Sequence, residues 1–167
     1  ETLDEIDAMV LGVGKLTDHA TDAAALVAAM HARELAVSDA VKDLPKPRVL
    51  LVFGLTPTVS AGPGSYADVM IAKAGGTNVV TSGGPYPVLG MEQVLALDPD
   101  VILNAAMQES RSVEQIAKDA PGWRSARAVK TGRVVALSDE SVLRPGPRVG
   151  DAIAVVARAI HPEAKIP

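Results

Sequence analysis

Four short aliphatic runs recur along the chain, at residues 48–53, 77–81, 101–104 and 133–137. Runs that are apolar at every position, instead of every second one, mark strands covered on both faces. Helical segments fall between and after them, at residues 66–74, 91–97, 113–118 and 149–160. Strands that pair in parallel need a crossover between them, and alternation with amphipathic helices supplies it as right-handed βαβ units. The expected fold from residue 44 to residue 167 is therefore α/β: a Rossmann-like, mostly parallel sheet of about four to five strands flanked by helices.

The 43 residues before it read as helix only. Thr2-Leu3-Asp4-Glu5 matches a capping box, in which the Thr hydroxyl and Glu carboxylate satisfy backbone amides at a helix start. A first helix is expected over residues 3–13, ended by Gly12 and Gly14, and a second over residues 18–43, capped by Thr17 or Asp18. Pro45 and Pro47 stop it, since proline lacks the amide donor and disfavours a helical residue before it. At about 1.5 Å per residue the second helix makes a rod of roughly 39 Å, which serves either as a packed edge element or as a strut to another domain.

Composition narrows the function classes. With 167 residues, 48% of them hydrophobic, the chain buries a sizeable core without disulfides or a structural metal, and it has no cysteine. That absence suits an oxidising compartment and many cytosolic proteins alike. The only aromatics are Phe53, Tyr66, Tyr86 and Trp123, so the core is aliphatic and an aromatic outside it is informative. A net charge of −4 argues against nucleic acid as a partner, which calls for a basic face. The charge is uneven: residues 1–43 hold three bases against nine acids, and residues 111–148 hold eight bases against four acids. No apolar run approaches the ~18 residues that span a bilayer.

Gly62-Pro63-Gly64-Ser65-Tyr66-Ala67 satisfies the dinucleotide pattern G-x-G-x-x-A between a strand and a helix. It departs from a working pyrophosphate turn in its long preceding loop and in lacking an acid about 20 residues on to hold a ribose. The plain alternative makes Ser65 a helix cap, with Asp68 in the first turn and Gly75 closing the helix. His19, His31 and His161 lie far apart without clustered partners, so no metal site is expected. Neither a phosphate loop nor a nucleophile elbow occurs, and the chain reads as a non-enzyme that needs no cofactor. What remains are loops rich in Gly and Pro at the carboxyl ends of the strands, where open α/β sheets bind ligands. They include residues 54–65, 83–87, 104–111 and 138–148. Tyr86, held between two prolines, suits a stacking platform, and Arg144, extended by the proline after it, suits an anionic ligand.

The order of these pieces resembles a known family. Ala61-Gly62 with Ser65-Tyr66, Ala74-Gly75-Gly76-Thr77-Asn78, Tyr86-Pro87, Met91-Glu92-Gln93-Val94-Leu95 with Asp98-Pro99-Asp100-Val101-Ile102, Trp123 with Ala128-Val129-Lys130-Thr131-Gly132-Arg133-Val134, and Arg144-Pro145-Gly146-Pro147-Arg148 stand in register. Together they resemble the C-terminal lobe of the substrate-binding proteins of cobalamin, haem and iron-siderophore ABC importers. The resemblance runs over residues 44–162 and implies two Rossmann-like lobes joined by one rigid helix, with the ligand in the cleft between them. Residues 1–43 then correspond to the strut helix. The N-terminal lobe, roughly 100 residues, is absent, so the chain reads as a piece cut by design or by proteolysis.

The resemblance also implies roles. Ser65, Tyr66, Tyr86, Glu140 and Arg144 form the ligand-facing set, with Asp139 as a further polar neighbour. Glu92 presents a carboxylate to arginines of the membrane permease, and Trp123 belongs to the core. A corrinoid such as cobalamin ranks first as ligand, a siderophore second, and haem, for which only Tyr66 and Tyr86 offer iron ligation, last. The implied location is periplasmic or otherwise extracytoplasmic, including a lipid-anchored form. Self-association of the isolated lobe through an uncovered helix stripe is expected. The alternative from another class is a nucleotide-using α/β enzyme built on the Gly62 to Ala67 loop.

Overall fold

The computed structural model describes residues 2–106, 115 and 121–167. The expected helix over residues 113–118, apart from residue 115, and part of the 104–111 loop lie outside them. Strand β1 (Arg48–Leu55) is the centre of the sheet. Its residues Val49 and Leu51 face one aliphatic cluster, whereas Leu50 and Val52 face the other, so the run is buried from both sides as its composition requires. β5 (Val101–Asn104) pairs with it in parallel, and β6 (Val134–Ala136) pairs in parallel with β5. β3 (Thr77–Asn78) joins the other side of β1, also in parallel, but ends after two residues, short of the expected 77–81.

Two antiparallel strands, β2 (Thr58–Ser60) and β4 (Val88–Leu89), were not legible as runs and make the sheet six-stranded. β2 folds back on the end of β1 through a turn containing the cis Thr56–Pro57 bond, and β4 pairs with β2. The long 54–65 loop is therefore largely a hairpin.

Helices cover both faces. On one side lie α3 (Tyr66–Lys73) and α6 (Val149–Ile160); on the other lie α4 (Met91–Leu97), α5 (Arg127–Lys130) and the 3-10 turn Pro121–Ser125. Outside α6 sits a further layer, formed by α1 (Leu3–Leu16) and α2 (Ala20–Val41). α2 turns Ala23, Met30, Val37 and Val41 inward at near-heptad spacing. It crosses α6 at Gly150, where any Cβ would meet Arg33 Cγ at 2.6 Å, and the Arg33–Asp151 pair at 3.2 Å closes the crossing.

The helix boundaries differ from those expected. Gly12 and Gly14 do not end α1, which continues to Leu16. Gly14 is needed inside the helix because a Cβ there would lie 2.3 Å from that of Ala23, so close packing on α2 outweighs glycine's cost in a helix of about 1 kcal/mol. Neither Thr17 nor Asp18 caps α2. The Thr17 hydroxyl donates back to the Val13 carbonyl at 2.9 Å, Asp18 takes the left-handed turn at φ 60°, and His19 is the N-cap residue. α2 has 22 residues, so the rod is roughly 33 Å long. His31 Nε2 and Asp7 Oδ2, 2.6 Å apart, tie the two helices together.

At the amino edge of the sheet a clamp fixes the ends of β1, α4 and β5. Arg48 donates to the Leu97 carbonyl at 2.6 Å, its amide donates to Asp100 at 2.8 Å, and Arg127 bridges Asp98 and Asp100 at 3.0 and 2.6 Å. These side chains are largely exposed, so the clamp sets geometry more than it adds stability.

His161, 9% exposed at the end of α6, packs against Gly75, and its Nε2 has no hydrogen-bond partner among the described residues. Burial lowers its pKa below the ordinary 6.5 and the Arg133 charge adds to this, against a weaker opposite pull from the Gly75 and Ala74 backbone. The folded state thus takes up a proton less readily than the unfolded chain, and stability falls as pH drops below about 6.5 until the folded-state value is passed. A urea midpoint series from pH 7.5 to 5 is expected to decline in the parent by more than in His161→Gln. Equal slopes in the two proteins would refute this assignment.

Candidate functional site

Because β1, β3, β5 and β6 run in parallel, the segments that follow them emerge on one rim. Residues 79–87 follow β3 and bring Tyr86 there, 56% exposed, with its ring in a T-shaped contact with Phe53 at a centroid distance of 5.6 Å. Residues 137–148 follow β6. Within them Asp139 caps the 3-10 turn Glu140–Val142, accepting from the Ser141 hydroxyl at 2.6 Å and the Ser141 amide at 2.8 Å. Those two bonds, the hydroxyl first, hold the Asp139 carboxyl below its usual range, with a smaller contribution from the Arg148 charge. Asp139 is thereby committed to the turn. Glu140 and Arg144 are exposed, with a loose contact of 3.9 Å between them, which leaves both charges available to a ligand at little cost.

Ser65 and Tyr66 sit elsewhere. Ser65 is 1% exposed and caps α3, its Oγ accepting from the Asp68 amide at 3.1 Å, and Tyr66 is 4% exposed within the aliphatic cluster. Both therefore lie beneath the rim surface. The loop before them is folded inward by Asn78, which donates to the Ala61 carbonyl at 3.2 Å and to Asp68 at 2.9 Å. That network was missed from sequence; its only trace is a polar Asn at the end of β3, just before the buried Val79 and Val80.

The same geometry disfavours a dinucleotide at residues 62–67. The Gly62 amide donates to the Pro85 carbonyl at 2.9 Å and the Ser65 amide to the Gly62 carbonyl at 3.1 Å, so two of the donors a pyrophosphate needs are committed within the fold. Among the described residues no group of three or more His, Cys, Asp or Glu side chains is placed to hold a metal ion.

Glu92 lies in the first turn of α4 with its side chain exposed. The far end of α4 is clamped at the amino edge of the sheet, so Glu92, roughly 7.5 Å back along the helix from Leu97, lies at the end of α4 away from that edge. A groove of about 390 Å³ lies beside it, between residues 80–83 and the surface formed by Val88, Leu89 and Gln93. A second groove of the same volume opens between α1 and α2, lined by Met9, Val13, Ala23 and Leu26 and closed by Pro147 from the loop that carries Arg144. Met9, Val13 and Leu16 are exposed around it, at 50%, 55% and 86%. Among the described residues no helix is long and apolar enough to cross a membrane.

Comparison with known proteins agrees with this architecture. The cobalamin-binding protein of Halobacterium salinarum is 32% identical over 154 residues, which are 89% of this chain and 42% of that protein. The vitamin B12-binding protein of Salmonella typhimurium is 41% identical over 61 residues, 36% of this chain and 23% of that one. Among solved structures, a periplasmic haem-binding protein from Pseudomonas aeruginosa superposes with a TM-score of 0.82 at 27% identity, covering 98% of this chain and 62% of that chain. A possible iron-binding protein from Staphylococcus epidermidis superposes at 0.85 and 23% identity, covering 96% of this chain and 63% of that one, and bears on the fold alone. The chain thus spans less than half the length of the curated relatives it matches. The family model of the periplasmic binding proteins matches residues 1–140, most of the chain, and the chain belongs to that family.

Proposed function

We propose that this chain is the strut, over residues 1–43, and the carboxyl-terminal lobe, over residues 44–167, of the substrate-binding component of an ABC importer. It captures a corrinoid in an extracytoplasmic compartment and delivers it to a membrane permease. The observation that carries the corrinoid is the likeness to a cobalamin-binding protein across nearly the whole chain. The rim supports it: an exposed aromatic at Tyr86 offers a face to a flat macrocycle, and Arg144 and Glu140 offer charge-assisted hydrogen bonds to its polar periphery. Ser65 and Tyr66, being buried, act from below by fixing the loop and not by touching ligand. Glu92 serves as the contact to the permease. The uncovered apolar surface on α1 and α2 suits a second lobe, and in the isolated piece it favours self-association.

Titration of the full-length gene product with cyanocobalamin, haem and a ferric hydroxamate, followed by calorimetry, tests the reading. Cyanocobalamin is expected to bind with a Kd at or below about 1 μM, tighter than either alternative. Preference for haem or the hydroxamate would replace the ligand while leaving the importer role. Saturable binding of a nicotinamide dinucleotide, lost in Gly64→Val, would replace both.

A further inference from the structure

We propose that Gly62 and Phe53 are positioning residues that set where Tyr86 meets the ligand. The proposal rests on the reading of Tyr86 as a ligand-facing aromatic. Strands β2 and β4 pair antiparallel, Thr58 opposite Leu89 and Val59 opposite Val88. The same register continues past both strands, with the Ser60 amide donating to the Pro87 carbonyl at 3.0 Å and the Gly62 amide to the Pro85 carbonyl at 2.9 Å. Pro85 and Pro87 have no N–H and only accept, so the two residues flanking Tyr86 are each held by one bond, from Gly62 and from Ser60. In such a ladder alternate residues turn their peptide groups away from the partner strand, and Tyr86 is the residue between the two anchors.

Gly62 controls how near the Tyr86 turn approaches. A Cβ at this position would lie 2.1 Å from the Gly84 carbonyl oxygen and 2.9 Å from Pro87 Cδ. Both neighbours belong to the turn carrying Tyr86, and one is backbone, so any side chain at position 62 pushes that turn outward. Phe53 sets the second coordinate, since its ring and that of Tyr86 meet in a T-shaped contact with centroids 5.6 Å apart. The first glycine of the 62–67 segment, which matches the dinucleotide pattern G-x-G-x-x-A, thereby has a different use: Gly62 admits a neighbouring strand.

A double-mutant cycle on the full-length protein, with cyanocobalamin as probe, tests this. Tyr86→Ala and Gly62→Ala are each expected to weaken binding by roughly tenfold. The combined variant is expected to bind no worse than Tyr86→Ala alone, because Gly62 acts through Tyr86. The thermal midpoint separates this from general destabilisation: whatever stability Gly62→Ala loses is expected to persist in the Tyr86→Ala background while its effect on affinity vanishes. Should Gly62→Ala fail to fold, Phe53→Leu enters the same cycle with the same expectation. If the parent does not bind cyanocobalamin, the corrinoid reading falls and this inference with it. If the parent binds and Tyr86→Ala weakens binding, but position 62 or 53 has no effect or adds its full effect to Tyr86→Ala, the inference alone is overturned.

Discussion

Trp123→Ala is expected to cost about 3–5 kcal/mol of folding stability, the upper range for truncation of a buried aromatic. In a domain whose whole margin is about 5–15 kcal/mol, that leaves little reserve. Trp123 is 2% exposed and is the largest side chain in the cluster on the α4 side of the sheet, with Leu50, Val52, Val94 and Ile102. Its neighbour Gly122 packs so closely on Met91 that a Cβ would lie 2.5 Å from Met91 Cγ, so the turn holding Trp123 fits directly against the start of α4. No nearby aromatic can fill the space, because the others in the chain are Phe53, Tyr66 and Tyr86. Urea denaturation followed by circular dichroism measures the loss. A loss below about 1 kcal/mol would mean that the cluster collapses around the gap and that Trp123 is not its centre.

Glu92→Arg is expected to reduce association with the cognate permease by about tenfold to a hundredfold, the value of a charge-assisted hydrogen bond, with repulsion added by the reversed charge. Affinity for cyanocobalamin is expected to stay within twofold of the parent. Arg144→Ala should do the opposite, weakening ligand binding while leaving docking intact. Both side chains are exposed, and neither belongs to an aliphatic cluster, so each variant should fold with a change of about 1 kcal/mol or less. Calorimetry with cyanocobalamin and a pull-down on detergent-solubilised permease, run on the same preparations, separate the two effects. Loss of ligand binding in Glu92→Arg, or no response of either variant in either assay, would overturn the division of roles.

The elements that sequence reasoning locates are those with an apolar pattern of their own. β1, β5, α4 and α6 each present such a pattern, and they fall where expected, with β1 running two residues further to Leu55. β2 and β4, three and two residues long, have no pattern of their own and exist because they pair with a strand already in place. Gly14 failed as a helix terminator for a related reason: propensity is local, and the contact with Ala23 that makes glycine necessary lies nine positions along, on another helix.

The candidate site was legible in part, as far as the placement of its residues goes. Exposure of Tyr86 follows from its flanking prolines, and the helix-start position of Glu92 from the segment it opens. Ser65 was legible as a cap. That its loop turns inward was not, because the pull comes from Asn78 and Asp68 through side-chain bonds with no sequence period. Phe53, last in its aliphatic run, gave no sign that it would support an aromatic more than thirty positions away.

Tyr86, Glu140 and Arg144 all stand outside the two aliphatic clusters, while the clamp of Arg48, Asp98, Asp100 and Arg127 secures the opposite edge of the sheet. Exposed positions of this kind usually change stability by no more than about 0.5 kcal/mol when replaced. Mutations at the rim are therefore nearly invisible to selection for folding. If the rim holds the ligand as proposed, a lineage carrying this lobe can drift from one ligand to another by single steps, without passing through an unfolded ancestor.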